Sequence, residues 1–374
     1  MKLLLPQWLL FATAVLAANL LRAKTKRNEI IPSTPFLGPI TADFTSSHLG
    51  LDGPKLSAVN STSFDWWYFD VVSTDRKSSL VVVFYTALPS AFPFLPASTD
   101  VTTVGIYIGF PNGTTTSTYL GASEAIVSTD AQGSTGNFVG TGAGWAGAED
   151  DSVYEVLINS PSNGIFGSFN LVATAPAHYP CGPATIRSGQ NLEVGPNIGW
   201  SNAVPDAVGS VALTVGSTKL AFTGVAYHDK NWSNQPFTDN VGSWYWGHGH
   251  IGGYSLVWFD FLAVNGTEYV SAYVSKNNKI LASSCTPGSI KVRPTGANAD
   301  YPPTVYTGNP GGFSILVDLN DGGEMSFNVS TDSIVAGAAG MVYTRWTGVL
   351  NGSLNGGKVM TGGAAIFEQF KLST

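Results

Sequence analysis

The chain has few ionisable side chains and no excess of basic ones. Charged residues make up 11% of the 374 positions, and Asp plus Glu outnumber Lys plus Arg by 25 to 18. Nucleic-acid binding needs a basic surface that neutralises phosphates, so this composition argues against it. Aromatic residues reach 12%, which does not fit the aromatic-poor composition of intrinsically disordered chains.

Several catalytic signatures are also missing. Gly-x-Ser-x-Gly does not occur, so there is no nucleophile-elbow motif, and no Rossmann or P-loop glycine pattern opens a helix. Beyond the N-terminus, no long segment has the 3.6-residue period of an amphipathic helix. Glycoside hydrolysis by paired carboxylates stays open. The acidic residues that could meet in space for it are Asp65, Asp70, Asp229, Glu268 and Glu368.

The N-terminus has the pattern of a secretory signal peptide. Lys2 precedes an apolar run over residues 3–16, and small residues follow it. The run is shorter than the roughly 20 residues that span a bilayer, so we predict cleavage after residues 1–18 rather than a membrane anchor. Cys181 and Cys285 are the only cysteines, and an oxidising compartment favours a disulfide between them over two buried thiols.

Asn-x-Ser/Thr sequons support the same secretory route. The chain has six, at Asn60, Asn112, Asn231, Asn265, Asn328 and Asn351. We predict glycosylation at all of them except Asn231, which lies in a motif expected to be buried. The predicted protein is therefore a secreted, lumenal or vesicular glycoprotein with no stable membrane span after cleavage.

Short β-branched and aromatic runs fill the remaining sequence, and turn sequences such as Pro111–Gly113 and Asn265–Gly266 separate them. Many short strands with regular turns indicate a sandwich or barrel. We predict an all-β protein with an N-terminal domain over residues 19–238, a C-terminal domain over residues 239–374 and a pocket between them.

Residues 227–260 are the most informative stretch. They contain three of the five histidines and four of the ten tryptophans, and dense aromatic surface with few titratable groups is typical of a small-molecule pocket. Neighbouring strand residues point to opposite faces, so His228 and Asp229 are not expected to share a pocket. His248 and His250 could bind zinc together with His228, but the surrounding glycines predict a turn, and we predict no metal.

Three motifs carry a resemblance to a known family. Phe64–Phe69 (FDWWYF), Gly224–Trp232 (GVAYHDKNW) and Trp244–Gly247 (WYWG) resemble the carotenoid-hydratase/AttH-like superfamily and, within it, the fungal lipocalin-like Diels-Alderases. The resemblance implies an N-terminal β-sandwich, a C-terminal lipocalin-like β-barrel and a substrate cleft between them. It also implies a pericyclase without cofactor that acts on small polyketide or terpenoid substrates.

The signal peptide and sequons favour one type within that family. This type joins a tropolone o-quinone methide to a humulene-type sesquiterpene in an intermolecular hetero-Diels-Alder reaction. An oxygen of the quinone methide gains negative charge during the reaction, so a hydrogen-bond donor would stabilise it. The candidate donors are Tyr68, Tyr227, His228, Lys230 and His248. If the enzyme also forms the quinone methide by dehydration, His228 with Asp229 or His248 is the candidate acid–base group.

Flat aromatic walls would hold diene and dienophile face to face. The candidate wall residues are Trp67, Tyr107, Trp246, Trp258, Tyr343 and Trp346. Core packing is the alternative role for each of them, because aromatic residues on strands usually pack in cores.

Other functions are compatible with the same sequence. They are an intramolecular decalin-forming Diels-Alderase, a terpenoid hydratase or isomerase, a carrier of an apolar metabolite, and a secreted glycan-active or glycan-binding protein. A hydratase would need a strong acid in the pocket, with Asp65 or Asp229 as the candidates. An acid facing the pocket would favour the hydratase, whereas aromatic walls with neutral donors would favour the pericyclase or the carrier.

Overall fold

The computed structural model describes five stretches of the chain: 27–47, 50–130, 133–184, 189–338 and 341–374. The predicted signal peptide at 1–18 lies outside them. In these stretches the backbone forms 24 strands, arranged as a 15-stranded and a nine-stranded antiparallel sheet. None of the helices in the described residues is long and apolar enough to cross a bilayer.

The first sheet is built from the N-terminal part of the chain. Its strands are β1 (Arg27–Pro32), β2 (Phe64–Ser73), β3 (Ser79–Ala87), β4 (Thr102–Gly109), β5 (Thr115–Gly121), β6 (Glu124–Asp130), β7 (Gly133–Phe138), β8 (Ala143–Gly147), β9 (Val153–Ser160), β10 (Ile165–Ala173), β11 (His178–Tyr179), β12 (Gly182–Pro183), β13 (Glu193–Gly195), β14 (Ile198–Val215) and β15 (Thr218–Ser233). The main path runs β1-β6-β7-β8-β9-β10-β14-β15-β2-β3-β4-β5, and β11 and β13 pair with β14.

This sheet curls so that its two ends face each other across a hydrophobic core. Trp145 of β8 packs on Trp67 of β2 and Phe84 of β3, with ring centroids 5.2 and 4.9 Å apart. Tyr154 of β9 lies 5.9 Å from Phe69 of β2. We call this interior the sandwich core, because the curled sheet encloses it from both sides.

The second sheet is built from the C-terminal part. The short helix α1 (Phe237–Asn240) leads into it. Its strands are β16 (Val241–Ile251), β17 (Tyr254–Ala263), β18 (Glu268–Lys276), β19 (Lys279–Ser284), β20 (Ile290–Thr295), β21 (Gly312–Asp318), β22 (Glu324–Gly337), β23 (Tyr343–Leu354) and β24 (Met360–Lys371). They are ordered β19-β18-β17-β16-β24-β23-β22-β21-β20. The sheet curls around its own hydrophobic cluster, which we call the barrel core.

A third hydrophobic cluster fills the seam between the two sheets. Strands β2, β15 and β16 border this seam. β2 and β16 are buried on both faces over most of their length, and β15 is buried on both faces in its second half. Two curled antiparallel sheets that form half-barrels confirm the predicted all-β fold with a sandwich and a lipocalin-like barrel. The first sheet ends at Ser233 and the second begins at Val241, so the sheet change falls in the segment that contains α1.

A disulfide joins Cys181, between β11 and β12, to Cys285, which follows β19, and it therefore links the two sheets. The sequon asparagines differ in exposure. Asn112, Asn265 and Asn328 are exposed, whereas Asn60 and Asn351 are half-buried. Asn231 is buried, and its side-chain amide donates to the Gly199 carbonyl at 3.2 Å.

Candidate active site

The seam encloses a cavity of about 430 Å³. Strands β2 to β5 and β15 border it on one side, and β16 and β22 to β24 border it on the other. This volume is in the range of small-molecule sites, and aromatic residues are 11 of the 26 that line it. The aromatic lining consists of Trp66, Tyr68, Tyr85, Phe92, Phe94, Tyr107, Tyr119, Trp244, Trp246, Tyr343 and Phe370.

Strand alternation decides which side chains reach the cavity. On β2, Trp66 and Tyr68 face it, whereas Trp67 lies between them in sequence and packs in the sandwich core. On β23, Tyr343 and Arg345 face it, whereas Trp346 packs in the barrel core. The period of two therefore sorts neighbouring residues into different environments.

Asp229 of β15 is a buried carboxyl group in the cavity wall. Its Oδ2 accepts hydrogen bonds from Trp200 Nε1 and from the Tyr227 hydroxyl, both at 2.7 Å. Trp246 Nε1 donates in turn to the Tyr227 oxygen at 3.3 Å. Burial raises the pKa of Asp229 to about 7, although the two hydrogen bonds oppose the rise. The group can therefore hold or release a proton near neutral pH.

An ion pair borders the cavity from the second sheet. Arg345 of β23 lies opposite Glu368 of β24 in the strand register. Its Nε and Nη2 donate to Glu368 Oε2 at 3.1 and 2.9 Å, and the Tyr343 hydroxyl donates to the same oxygen at 3.1 Å. The charge of the guanidinium is therefore balanced locally.

Tyr68 is connected to a histidine below the cavity. Its hydroxyl donates to Asp70 Oδ2 at 2.7 Å, and His248 Nε2 donates to the same oxygen at 2.9 Å. His248 Nδ1 is buried without a hydrogen-bond partner in the described residues, so Nε2 makes the hydrogen bonds of this ring. Because Tyr68 uses its only hydrogen on Asp70, it offers the cavity an acceptor oxygen and no donor.

The remaining predicted donors lie away from the cavity surface. Tyr227 is behind Asp229, which it contacts. His228 and Lys230 point into the sandwich core, as alternation along β15 requires. His228 Nε2 lies 2.9 Å from Asp52 Oδ1. Burial lowers the pKa of His228, but Asp52 outweighs it and the net shift is upward.

Lys230 is enclosed in the same core. Its Nζ pairs with Asp65 and lies 3.9 Å from the centroid of the Trp67 ring. Burial lowers the pKa of Lys230 to about 8, and Asp65 opposes this shift. Asp65, one of the two acids considered for a hydratase, is therefore used in a core ion pair, whereas Asp229 faces the cavity.

The predicted wall residues divide by the same rule. Tyr107, Trp246 and Tyr343 line the cavity. Trp67 packs in the sandwich core, and Trp258 and Trp346 pack in the barrel core.

Sequence reasoning did not single out Arg345, and it named Glu368 only as one of several carboxylates. One sequence pattern could have indicated both residues, namely an aromatic residue two positions away from a charged one. Tyr343-x-Arg345 and Glu368-x-Phe370 have this pattern, as Tyr227-x-Asp229 does on β15. Such pairs share one strand face, and in a buried strand that face can line a pocket.

His248 and His250 bind different carboxylates. His248 contacts Asp70, while His250 Nδ1 lies 2.6 Å from Asp206 Oδ2 in a second, more open cleft. Among the residues that the structure describes, no three His, Cys, Asp or Glu side chains come together as a possible metal site.

Two curled β-sheets that enclose an aromatic cavity with a buried acid define a lipocalin-like small-molecule protein with the parts of an enzyme active site. More specifically, the sequence model of the Diels-Alderase-like family matches residues 36–294, and the chain belongs to that family.

Two relatives extend this result. The chain is 36% identical to the quinolone epoxide rearrangement protein asqO of Emericella nidulans, over 83% of this chain and 84% of that protein. It is 35% identical to the quinolone epoxide rearrangement protein penF of Penicillium thymicola, over 88% and 91%. Among solved structures, the crystal structure of CghA with Sch210972 superposes with a TM-score of 0.74 at 18% identity, covering 92% of this chain and 99% of that one. That similarity establishes the shared fold.

Proposed function

We propose that this protein is a cofactor-independent enzyme that rearranges an epoxide on an apolar, ring-containing small molecule, with Asp229 as the acid. The observation that carries the proposal is the position of Asp229, a buried carboxyl group with two hydrogen-bond donors in an aromatic cavity. The names of asqO and penF support the choice of an epoxide substrate.

The environment of Asp229 suits an acid catalyst. Epoxide opening is accelerated when a proton reaches the ring oxygen, and a carboxyl group at its usual pKa of 3.8 would be ionised at neutral pH. With a pKa of about 7, a substantial fraction of Asp229 is protonated there. As the proton leaves, negative charge develops on the carboxylate, and the Trp200 and Tyr227 donors already point at Oδ2 to stabilise it.

The cavity walls suit the carbon chemistry that follows. When the carbon–oxygen bond breaks, the pair of electrons stays on oxygen and positive charge develops on carbon. The indole rings of Trp66, Trp244 and Trp246 line the cavity and can stabilise that charge through their faces. A neighbouring substituent then migrates to the cationic carbon, or an internal oxygen adds to it. A proton returns to Asp229, so the product is an isomer of the substrate.

Replacing the acid tests this function. We expect Asp229→Asn to lower turnover of a quinolone epoxide by about 10² to 10⁴-fold, the usual range for losing a general acid. Mass spectrometry of the product distinguishes rearrangement, which leaves the mass unchanged, from hydrolysis, which adds one water. Glu155→Gln, at an exposed position on β9, is the matched control and should retain the wild-type rate. Wild-type turnover by Asp229→Asn would refute the proposed role.

Cycloaddition is the second candidate, and the family membership with the aromatic walls supports it. Positioning alone can contribute about 7–11 kcal/mol in favourable cases and needs no proton transfer. A hetero-Diels-Alder reaction of a tropolone o-quinone methide with humulene stays a prediction, and neither asqO nor penF has a name that refers to it. If the protein catalyses a cycloaddition, Asp229→Asn should keep most of the wild-type rate with the diene and dienophile. If it is a carrier, it should turn over neither that pair nor the quinolone epoxide.

A further inference from the structure

Arg345 has hydrogen-bonding capacity that the protein does not use. Its Nε and Nη2 bind Glu368, but Nη1 is buried and has no hydrogen-bond partner among the described residues. The side chain lines the cavity and is almost fully buried. A guanidinium always carries its N–H groups, and a buried N–H without an acceptor is costly. The position therefore fits an acceptor atom that a ligand supplies.

Two tyrosines border the same part of the cavity. The hydroxyls of Tyr107 and Tyr119 lie 2.8 Å apart, and both residues line the cavity. The guanidinium carbon of Arg345 lies 5.6 Å from the centroid of the Tyr107 ring. The Tyr107 hydroxyl also hydrogen-bonds with that of Tyr85, which lines the same cavity. Three hydroxyls linked in this way use two hydrogens on one another and keep one for another acceptor. This part of the cavity wall therefore offers two kinds of donor, one cationic and one neutral.

We propose that Arg345 and the Tyr107–Tyr119 pair bind the carbonyl oxygen of a flat lactam or a similar conjugated carbonyl, and so hold the substrate with its reacting end toward Asp229. The orientation toward Asp229 rests on the proposed function, whereas carbonyl binding by Arg345 and the tyrosines does not need it. We call these three residues the carbonyl anchor. A carbonyl oxygen has two lone pairs, which matches the two kinds of donor.

The local charge favours a neutral acceptor over an anion. Glu368 already balances Arg345, since its Oε2 accepts from both Nε and Nη2. A ligand carboxylate would add a second negative charge beside Glu368 in a buried site, which is unfavourable without another cation. A polarised carbonyl gains from the free N–H of Arg345 without that cost.

Binding of unreactive probes tests the anchor apart from catalysis. We would titrate the protein with 2-quinolinone, which has the lactam carbonyl, and with naphthalene, which has a similar flat shape without it, and follow tryptophan fluorescence. We expect 2-quinolinone to bind at least about tenfold more tightly, because a hydrogen bond to a charged group contributes about that factor. Tighter binding of quinoline-2-carboxylate than of 2-quinolinone would overturn the preference for a neutral carbonyl.

Two variants assign the preference to the anchor. Arg345→Met with Glu368→Gln removes both charges together, so that no buried charge is left unpaired. Tyr107→Phe with Tyr119→Phe removes the phenolic hydrogens. We expect the first double variant to bring the affinity ratio of the two probes close to one and the second to reduce it severalfold. An unchanged ratio in both would overturn the anchor, and the tyrosine variant keeps the test valid if the charge variant does not fold.

The Asp229→Asn variant distinguishes a failure of the carbonyl anchor from a failure of the proposed epoxide rearrangement. It should preserve the probe ratio, because Asp229 is not in the carbonyl anchor, while it lowers epoxide turnover. Retained turnover with a retained ratio would refute the acid and support the anchor. Lost turnover in Asp229→Asn, together with a wild-type ratio in both anchor variants, would refute the anchor and support the acid.

Discussion

Strand β15 has two polar faces, and they lie in different environments. On the sandwich side, His228 and Lys230 are each paired with a buried carboxylate, Asp52 and Asp65. On the seam side, Asp229 lines a cavity. All of these residues are buried, so burial alone does not separate the two faces. The two faces differ in whether protein atoms satisfy all of their hydrogen-bonding groups.

On the sandwich face, other protein groups supply the hydrogen-bond partners of the buried polar side chains. Asp52 accepts from His228 Nε2, from the Ser134 hydroxyl at 2.5 Å and from the Tyr154 hydroxyl at 2.8 Å. In the seam, Asp229 lines open space, and Arg345 Nη1 has no partner in the described residues. The comparison teaches that a dense polar motif does not by itself locate an active site. Unused hydrogen-bonding capacity beside a cavity is the better indicator.

The largest effect on stability should come from the sandwich face. Asp52→Ala leaves His228 Nε2 and the Ser134 hydroxyl without their acceptor in a sealed core, and it leaves a buried imidazole without its counter-charge. The Tyr154 hydroxyl keeps Asp151 Oδ1 as an acceptor at 2.7 Å. Removing one partner of a buried pair typically costs about 3 to 5 kcal/mol. We expect a loss of that size in the free energy of unfolding, measured by urea denaturation.

Asp229→Asn provides the matched comparison on the seam face. The amide oxygen still accepts from Trp200 and Tyr227, so the expected loss at pH 5 is within about 1 kcal/mol. Equal losses for Asp52→Ala and Asp229→Asn would mean that both faces are mainly structural, and the distinction between them would fail.

The sequence predicts much of the fold but only part of the site. Regular turns and β-branched runs are local signals, so the strands and the two-sheet architecture follow from them. Alternation is local as well, and it places His228 and Asp229 on opposite faces of their strand. It cannot say which face meets a core and which meets a cavity. Trp66 and Trp67 are adjacent and identical in type, yet only Trp66 lines the cavity.

Contacts between strands account for most of what sequence reasoning missed. Arg345 and Glu368 pair because β23 and β24 are neighbours in one particular register. Asp52 reaches His228 from a loop 176 residues earlier in the chain. Register and long loops depend on the packing of the whole sheet, and no local pattern encodes them. The cavity is a property of that packing.

The pH dependence of the unfolding free energy should also distinguish the seam face of β15 from its sandwich face. The expected effect is somewhat smaller than the loss for Asp52→Ala. The pKa of Asp229 is raised from 3.8 to about 7, so the folded protein keeps this proton at pH values where the unfolded chain has lost it. Stability from this group therefore falls as the pH rises from about 4 to about 7. Between pH 5 and pH 8 the loss amounts to about 2 to 3 kcal/mol.

Asp229→Asn removes that titration. The difference in unfolding free energy between wild type and variant should move in favour of the variant by about 2 to 3 kcal/mol from pH 5 to pH 8. The two proteins share every other titratable group, so the difference reports Asp229 together with its effect on His228, whose pKa the Asp229 charge helps to raise. Parallel stability profiles over this range would show that Asp229 is ionised throughout, which would also weaken its role as an acid.

The smallest effect is expected from removing the hydroxyl of either of two tyrosines. These tyrosines donate to buried carboxylates on opposite sides of β15. Tyr227→Phe removes a donor from Asp229, which raises the pKa of that carboxyl further and removes stabilisation of the charge that forms during proton transfer. We expect about a tenfold lower rate of epoxide rearrangement and a pH–rate profile whose fall lies at higher pH. Unfolding free energy should drop by about 1 kcal/mol, because Trp246 Nε1 loses its acceptor.

Tyr154→Phe makes the same chemical change in the sandwich core, where the hydroxyl donates to Asp52 Oδ2 at 2.8 Å and to Asp151 Oδ1 at 2.7 Å. It should cost a similar amount of stability, since each change deletes one hydroxyl hydrogen that is donated to buried carboxylates. The rate and its pH profile should stay as in the wild type, because Asp52 faces away from the cavity. If Tyr154→Phe shifted the pH profile as much as Tyr227→Phe, the two faces would be coupled, and the cavity face could no longer be regarded as the separate site of the chemistry.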